Sequence, residues 1–431
     1  MLQCKQIRHT ARVVQIAVPP AGGAYLESFL RASSFSAEHS VKKQVNMALP
    51  IYSTYDCIVL GAGIQGSFTA YHLAKSGKKP LLLEQFPLPH TRGSSHGQTR
   101  IIRKAYPEDF YTHMMEEGYK LWEEVEKASG TKLYRNTELL VLAPDGNPVL
   151  ESICKNLEDF KIPWERLTQE TLKQRYPGFS IKPGEVGCVD SSGGVLCADK
   201  ALKAVQELFQ QMGGVIHDGE KVQSIEPGPV IKVTTTKHTY AAEKLVITAG
   251  PWAQKVLSPL GLQLPLKTLR INVCYWKEKF PGKSDILTNA PLFLAGGLNG
   301  VEHEIYGLPS QEYPGLIKIC LHNGNEAEPE ERDDLAKEDK IKDISILSSF
   351  VSNYLPDLNP EPAIIERCMY TVTPDHNYIL DHHPLHKNIV IGAGFSGHGF
   401  KISPVVGKIL SELCTGAPLT YNLKPFQINR F

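Results

Sequence analysis

Near the start of the readable pattern, the chain passes from an uncharged apolar run to an amphipathic stretch and into a second apolar run. Residues 57–60 (CIVL) carry no charge, as a strand buried on both faces does. Gly61, Gly63 and Gly66 follow at G-x-G-x-x-G spacing. A helical stretch, Gly77, and a second apolar run at 80–83 closed by Glu84 complete the segment. The pattern predicts a strand–helix–strand unit of about 30 residues.

Downstream, residues 86–99 read as a small, polar, glycine-rich loop containing Ser94, Ser95, His96 and Gly97. Arg100 and Arg103 follow, and their spacing of three predicts both guanidiniums on one side of a helical turn. A helix is predicted at 107–128, where Phe110, Met114, Leu121 and Val125 recur at steps of four and seven. Residues 138–142 read as a strand and 144–195 as loop-rich, with short helices near 169–174. An amphipathic helix at 197–212 carries Leu202, Val205, Phe209 and Met212 on one face. Short strands are predicted at 215–218, 221–225 and 230–234, and a buried strand at 244–248 runs into a turn with Gly250 and Trp252. Further strands fall at 270–276, 304–307, 315–321 and 366–373, with a highly charged stretch at 326–343. A buried strand at 388–392 enters a glycine-rich loop and then a helix to Cys414, capped by Gly416.

This order predicts an α/β plus α+β fold. A discontinuous Rossmann-like nucleotide domain is assembled from 51–137, 196–265 and 366–431, and a mostly antiparallel substrate domain from 138–195 and 266–365 is inserted into it. Residues 1–50 are expected to be a disordered extension: up to residue 46 there are six Lys and Arg against two Glu, and Pro19-Pro20 breaks any helix. That composition also permits a transit peptide.

At 431 residues, two domains are the prior. A hydrophobic content of 42% and a charged content of 21% are those of a globular protein. Lys plus Arg equals Asp plus Glu, 46 each, so no global field recruits nucleic acid or an acidic membrane. No apolar run approaches the ~20 residues that span a bilayer. Nine cysteines are scattered without C-x-x-C pairs, which argues against a zinc ribbon or a disulfide scaffold.

The glycine segment carries chemistry. Gly61 permits the turn, Gly63 lets the backbone approach a pyrophosphate, and Gly66 lets helix and strand pack closely. The helix N-terminus offers free N–H groups to phosphates. Glu84, eighteen residues after Gly66, is placed to accept from ribose hydroxyls and disfavours a 2′-phosphate. The motif alone does not separate NAD from FAD. The discontinuous layout favours FAD, because a flavin buried between domains needs contacts from distant segments.

The chain from about residue 55 onward resembles the monomeric sarcosine oxidase family. The segments that carry the resemblance are VLGAGIQG, RGSSHGQTRIIRKAY, VITAGPW, RINVCYW, GLIKICLHNGN, CMYTVTPD and GAGFSGHGFK. The resemblance implies a glutathione reductase-like FAD-binding fold and a covalent thioether from Cys368 to the flavin. It implies a substrate carboxylate held by Arg103 and Lys401, with Arg100 near the flavin. Lys318 and His322 match a K-x-x-x-H strand over the flavin, where the lysine assists O₂ reduction; residues four apart on a strand share a face. Tyr306 and Tyr370 match active-site tyrosines. Val222, Gly250, Trp252, Gly394, Phe395, Gly397 and Gly399 are expected to touch the cofactor, and no metal is expected. The implied reaction is oxidation of a small secondary amino acid (sarcosine, L-pipecolate or L-proline) by O₂, giving an imine and H₂O₂, in a monomer. The alternatives are a flavin dehydrogenase with a non-oxygen acceptor and a non-catalytic binding protein on the same fold. The resemblance implies a peroxisomal location; the chain ends Asn429-Arg430-Phe431 without an S-K-L-type signal, so a cytosolic location stays open.

Overall fold

The computed structural model describes residues 51–282, 291–334 and 341–431. The extension expected at 1–50 lies outside these residues, as does 335–340 within the charged stretch.

The strand–helix–strand unit forms as Ile51–Leu60, Ile64–Lys75 and Pro80–Leu83. Its strands pair in parallel, with Ile58 opposite Leu81. On its other edge the first strand runs parallel to Thr239–Ile247, with Ile58 opposite Leu245. The strand is apolar throughout its described core because alternate residues meet different hydrophobic layers. Cys57 and Val59 pack with Phe68, Leu73, Val205 and Ile409 of three helices. Ile58 and Leu60 pack with Val233, Leu257 and Leu260 on the opposite side.

Among the described residues the first sheet has eight strands. Its main path is Val222–Glu226, Ile231–Thr235, Thr239–Ile247, Ile51–Leu60, Pro80–Leu83, Val215–His217. Ile389–Ala393 joins the end of Thr239–Ile247 in parallel, and Ile379–His382 pairs antiparallel beyond it. Segments far apart in sequence therefore share one sheet, and the helix Ser403–Thr415 packs back onto it before ending at Gly416.

Among the described residues the second sheet has nine strands, and every pairing is antiparallel except that of Leu292–Ala295 with Leu139–Pro144. Toward one edge of the sheet, Lys267–Lys277 carries Leu316–Leu321 and Asn325–Glu326 on one side and Ile364–Val372 on the other. Residues 366–372, expected at the start of the nucleotide domain's last piece, thus belong to this sheet by hydrogen bonding. The eleven-residue strand Lys267–Lys277 offers an edge long enough to pair with all of Ile364–Val372.

Two expectations are corrected. Residues 99–102 are a strand rather than a helical turn, pairing antiparallel with Gly194–Cys197 so that Arg100 lies opposite Leu196. The β-branched Thr99, Ile101 and Ile102 suit the extended backbone. The region 144–195, read as loop-rich, contains a full helix, Pro148–Asp159. Asn147 caps it by accepting from the N–H groups of Val149 (3.0 Å) and Leu150 (3.1 Å), and Pro148 starts it. Leu150, Ile153, Cys154 and Leu157 form its buried stripe. The same region also holds strands Trp164–Leu167, Glu185–Asp190 and Gly194–Cys197.

Candidate active site

A cavity of about 1200 Å³ is lined from the glycine turn to the C-terminal loop. Gly61, Gly63, Glu84, Val222, Gly250 and Trp252 contribute to its wall. Gly66 does not; its task is close packing. A Cβ there would lie 1.9 Å from the Gly61 carbonyl oxygen and 2.6 Å from Thr248 Oγ1. The helix that begins at Ile64 has no acidic residue in its first turn, so its positive end is not neutralised from within. Ser95 Oγ takes one of its donors, the Ile64 N–H, at 3.0 Å. Glu84 is buried and braces the turn: its carboxylate accepts from the Ala62 N–H at 2.9 Å and the Phe86 N–H at 3.1 Å. Trp252 is held by its indole N–H, which donates to Glu330 at 2.9 Å.

Ser94, Ser95, His96 and Gly97 line the middle of the cavity. Arg100 pins this loop, donating to the carbonyls of Thr99 (2.8 Å), Ser94 (3.0 Å) and His96 (2.5 Å). Burial, and then the Arg100 charge, push His96 down to about 4, so its ring is neutral near pH 7.

The second sheet supplies a wall by strand alternation. Cys368 and Tyr370 lie two apart on Ile364–Val372, and both line the cavity. Cys368 Sγ is buried, 3.8 Å from its neighbour's carbonyl oxygen at Met369 and 4.0 Å from that of Ser94. Lys318 and His322 line the same cavity from one side of their strand and the residue after it. The Lys318 ammonium donates to Glu312 at 2.6 Å and Thr99 Oγ1 at 2.7 Å. The His322 ring sits between Tyr306, 6.3 Å away, and Tyr370, 5.3 Å away. Burial is the main cause that lowers His322 to about 4. Tyr306 and Tyr370 are both pushed up by burial, so they stay neutral phenols. Gly397 closes over this cluster at φ 80°, and a Cβ there would lie 2.4 Å from the Tyr370 ring and 2.8 Å from His322 Nε2.

At the far end two cations meet. Arg103 and Lys401 are 8% and 7% exposed and line the cavity together, although they are separated by almost 300 residues of sequence. Tyr106 lies between them. Its ring centre is 4.3 Å from the Arg103 guanidinium carbon, and its hydroxyl accepts from Lys401 at 3.1 Å. Lys401 also donates to the His398 carbonyl at 3.1 Å, and Arg103 donates to that of Ala105. Among the described residues these acceptors are all neutral. Burial, and then the Arg103 charge, hold Lys401 well below the usual lysine range, while the Glu304 carboxylate on the cavity wall acts the other way. Buried cations whose hydrogen-bond acceptors are all neutral are costly even with Glu304 acting from the wall, so the pair is poised for an anion. Sequence reasoning missed Tyr106, His398, Thr99 and Glu312, although Tyr106 stands three residues after Arg103 inside the matched segment.

Phe395 and Gly399 line the cavity, whereas Gly394 lies behind it against Thr373 and Leu266. Gln65 Nε2 donates to the Gly399 carbonyl at 2.9 Å, tying the first helix to the C-terminal loop. Gln65 Oε1 and Thr371 Oγ1 belong to cavity-lining residues and are buried without a hydrogen-bond partner. Such orphaned atoms call for a polar ligand. With the glycine turn and the free helix end, they make the cavity fit a dinucleotide cofactor of the FAD type. Among the described residues no group of three or more His, Cys, Asp or Glu could hold a metal ion. Nor is any described helix long and apolar enough to cross a membrane.

Residues 56–413 match the family described as FAD dependent oxidoreductase. The chain is 57% identical over 377 residues to the peroxisomal sarcosine oxidase of Homo sapiens, covering 88% of this chain and 96% of that one. It is 34% identical over 382 residues to the monomeric sarcosine oxidase of Bacillus sp. (strain B-0618), covering 87% and 96%. Among solved structures, the L-proline dehydrogenase of P. horikoshii superposes with a TM-score of 0.73 at 21% identity, over 88% of this chain and 99% of that one, a likeness of fold. The extent of these matches, together with the glycine turn and the paired cations, makes the chain a member of the FAD-dependent oxidoreductases and, within them, of the sarcosine oxidase family.

Proposed function

We propose that this FAD-dependent amine oxidoreductase is an oxidase of small secondary amino acids, with sarcosine, L-pipecolate and L-proline as its substrate class. The observation that carries the reading is the buried Arg103–Lys401 pair, whose hydrogen-bond acceptors among the described residues are all neutral. A small amino acid offers one strong handle, its carboxylate, and charge-assisted hydrogen bonds from two cations fix it. The names of the human and Bacillus relatives support the secondary amine.

FAD, when bound, supplies the acceptor for two electrons and the centre that passes them to oxygen. Ser94, Ser95, His96 and Gly97 would hold it at mid-cavity, Gly61, Gly63, Glu84 and Val222 at the nucleotide end. Cys368, on the cavity wall, is proposed as the thioether link. Arg103 and Lys401 hold the carboxylate, so the amine and its oxidisable C–H bond are presented toward the centre of the cavity. Tyr306, His322 and Tyr370 stay neutral and shape that space without adding a charge that would hold the amine protonated. Lys318, a fixed buried cation, is proposed to stabilise the charge that develops on O₂. In the net reaction the amine becomes an imine that water hydrolyses, and O₂ becomes H₂O₂; sarcosine would yield glycine and formaldehyde.

The first sheet and its helices are proposed as the nucleotide portion and the second sheet as the substrate portion. A monomer and a peroxisomal setting are supported by the relatives' names. The test is H₂O₂ release, without an added electron acceptor, over a panel of secondary amino acids, their primary counterparts and their amides. Release confined to the secondary amino acids supports the reading. Flavin reduction without oxygen consumption would point to a dehydrogenase instead.

A further inference from the structure

Lys318 is one corner of a closed charged triangle built from three segments. The second corner is Glu312, in the turn between strands Ile305–Pro309 and Leu316–Leu321. The third is Thr99, from the strand that leads to Arg103. Glu312 Oε1 accepts from Lys318 Nζ at 2.6 Å, Thr99 Oγ1 at 2.7 Å and the Thr99 N–H at 3.1 Å. Oε2 accepts from the Gln311 N–H at 3.1 Å and Ser310 Oγ at 3.2 Å. Lys318 Nζ completes the triangle through Thr99 Oγ1 at 2.7 Å. The side chains of Lys318 and Glu312 are 4% and 6% exposed, so neither charge is screened by bulk water.

We propose that Glu312 is a positioning residue for Lys318: its carboxylate favours the charged ammonium and fixes it on the cavity wall, and thereby extends oxygen reduction to higher pH than the buried lysine alone would allow. The proposal rests on the reading of Lys318 as the oxygen-side cation.

The surrounding charges set the sign. Burial disfavours the ammonium, and the Arg100 guanidinium on the Thr99 strand disfavours it further. Glu312 opposes both, and its own acid is held down to about 2, chiefly by the lysine, against the opposing effect of burial. The other titratable groups around Lys318 are Tyr275, whose ring centre is 5.4 Å from Nζ, Glu366, which accepts from the Tyr275 and Tyr313 hydroxyls, and Cys320 on the lysine's own strand. Burial and its acidic neighbours push the Tyr275 phenol up, so it stays neutral. Without the Glu312 charge, Arg100 and burial act unopposed at close range, and a buried lysine in that position sheds its proton at lower pH.

The fixed anion also weakens the field that Lys318 projects into the cavity. Glu312→Gln therefore has opposite effects at the two ends of the pH range. At low pH, where Lys318 stays protonated, reoxidation of the reduced flavin by O₂ should match or exceed wild type. On raising the pH it should fall by about 10²-fold, the scale for losing one electrostatic stabiliser. Glu312→Asp, which keeps the charge one methylene farther back, should lie between the two. Lys318→Met should be slow at every pH, and a wild-type rate in that variant would refute the oxygen role of Lys318 itself.

The deciding experiment pairs stopped-flow reoxidation across pH with a pH titration of the oxidised flavin's absorbance, which requires no turnover. Glu312→Gln should show an absorbance transition at lower pH than wild type, and adding Lys318→Met should abolish it. A Glu312→Gln profile that falls at the same pH as wild type, or one lowered equally at all pH, would mean that Glu312 only holds the turn in place. If Glu312→Gln fails to retain flavin, the direction of the shift in Glu312→Asp decides alone.

Discussion

Cys368 shows what a single residue can and cannot reveal. Alone it is a buried cysteine in a strand, like Cys274 opposite Ile365 in the neighbouring one. Its meaning comes from facing the cavity with Tyr370 beneath a loop pinned by Arg100. If it carries the flavin, acid-precipitated protein should stay yellow and Cys368→Ser should release its flavin on the same treatment. Loss of colour from the acid-treated wild type would remove the covalent link. Tyr106 and Glu312 are illegible for the opposite reason: Tyr106 meets Lys401 from almost 300 residues away, and Glu312 joins Lys318, six residues on, to the distant Thr99, so no local pattern marks a tyrosine or a glutamate for that task.

At the level of elements, periodicity located what is buried on a regular face. The glycine unit, the helix Asp109–Ser129 and the buried strands Thr239–Ile247 and Ile389–Ala393 were legible because their apolar spacing is uninterrupted. The helix Pro148–Asp159 was lost among turn-forming residues, although Asn147-Pro148 is a start signal. Its cap is open to direct test. Asn147→Ala should cost about 1 kcal/mol, read as a lower urea midpoint, while Asn147→Asp keeps most of it. Asn147 is not part of the cavity wall, so carboxylate binding should not change. An unchanged midpoint would mean that the packing of Leu150, Ile153 and Leu157 holds the helix without its cap. The strand Thr99–Ile102 carries the complementary lesson. A spacing of three suggested a helix, but pairing with Gly194–Cys197 decided the backbone, and such tertiary pairing is invisible locally.

At the level of the whole molecule, the fold exists to bring the two ends of the described chain together. The Rossmann-like unit and its discontinuity could be read from strand order. The convergence of Arg103 with Lys401 could not be derived from spacing and entered through resemblance. The convergence creates the central physical tension, two buried cations side by side, and a substrate carboxylate resolves it. Because Lys401 is lowered by burial and by Arg103, a carboxylate that requires its ammonium should bind most tightly on the acid side of the Lys401 titration. It should weaken as the pH rises through the Lys401 value, below the ordinary lysine figure of about 10.4. The most direct measurement is a titration of the flavin absorbance with a simple carboxylate and with its amide, in wild type, Arg103→Ala, Lys401→Met and the double variant. Each single variant should weaken the carboxylate at least about tenfold, consistent with the ~2–5 kcal/mol cost of breaking a desolvated charge pair. The two losses should combine non-additively, since both groups serve one anion. The amide should be nearly indifferent to either change. Equal weakening of carboxylate and amide, or an unchanged carboxylate in both single variants, would contradict the clamp and with it the assignment of an amino-acid substrate.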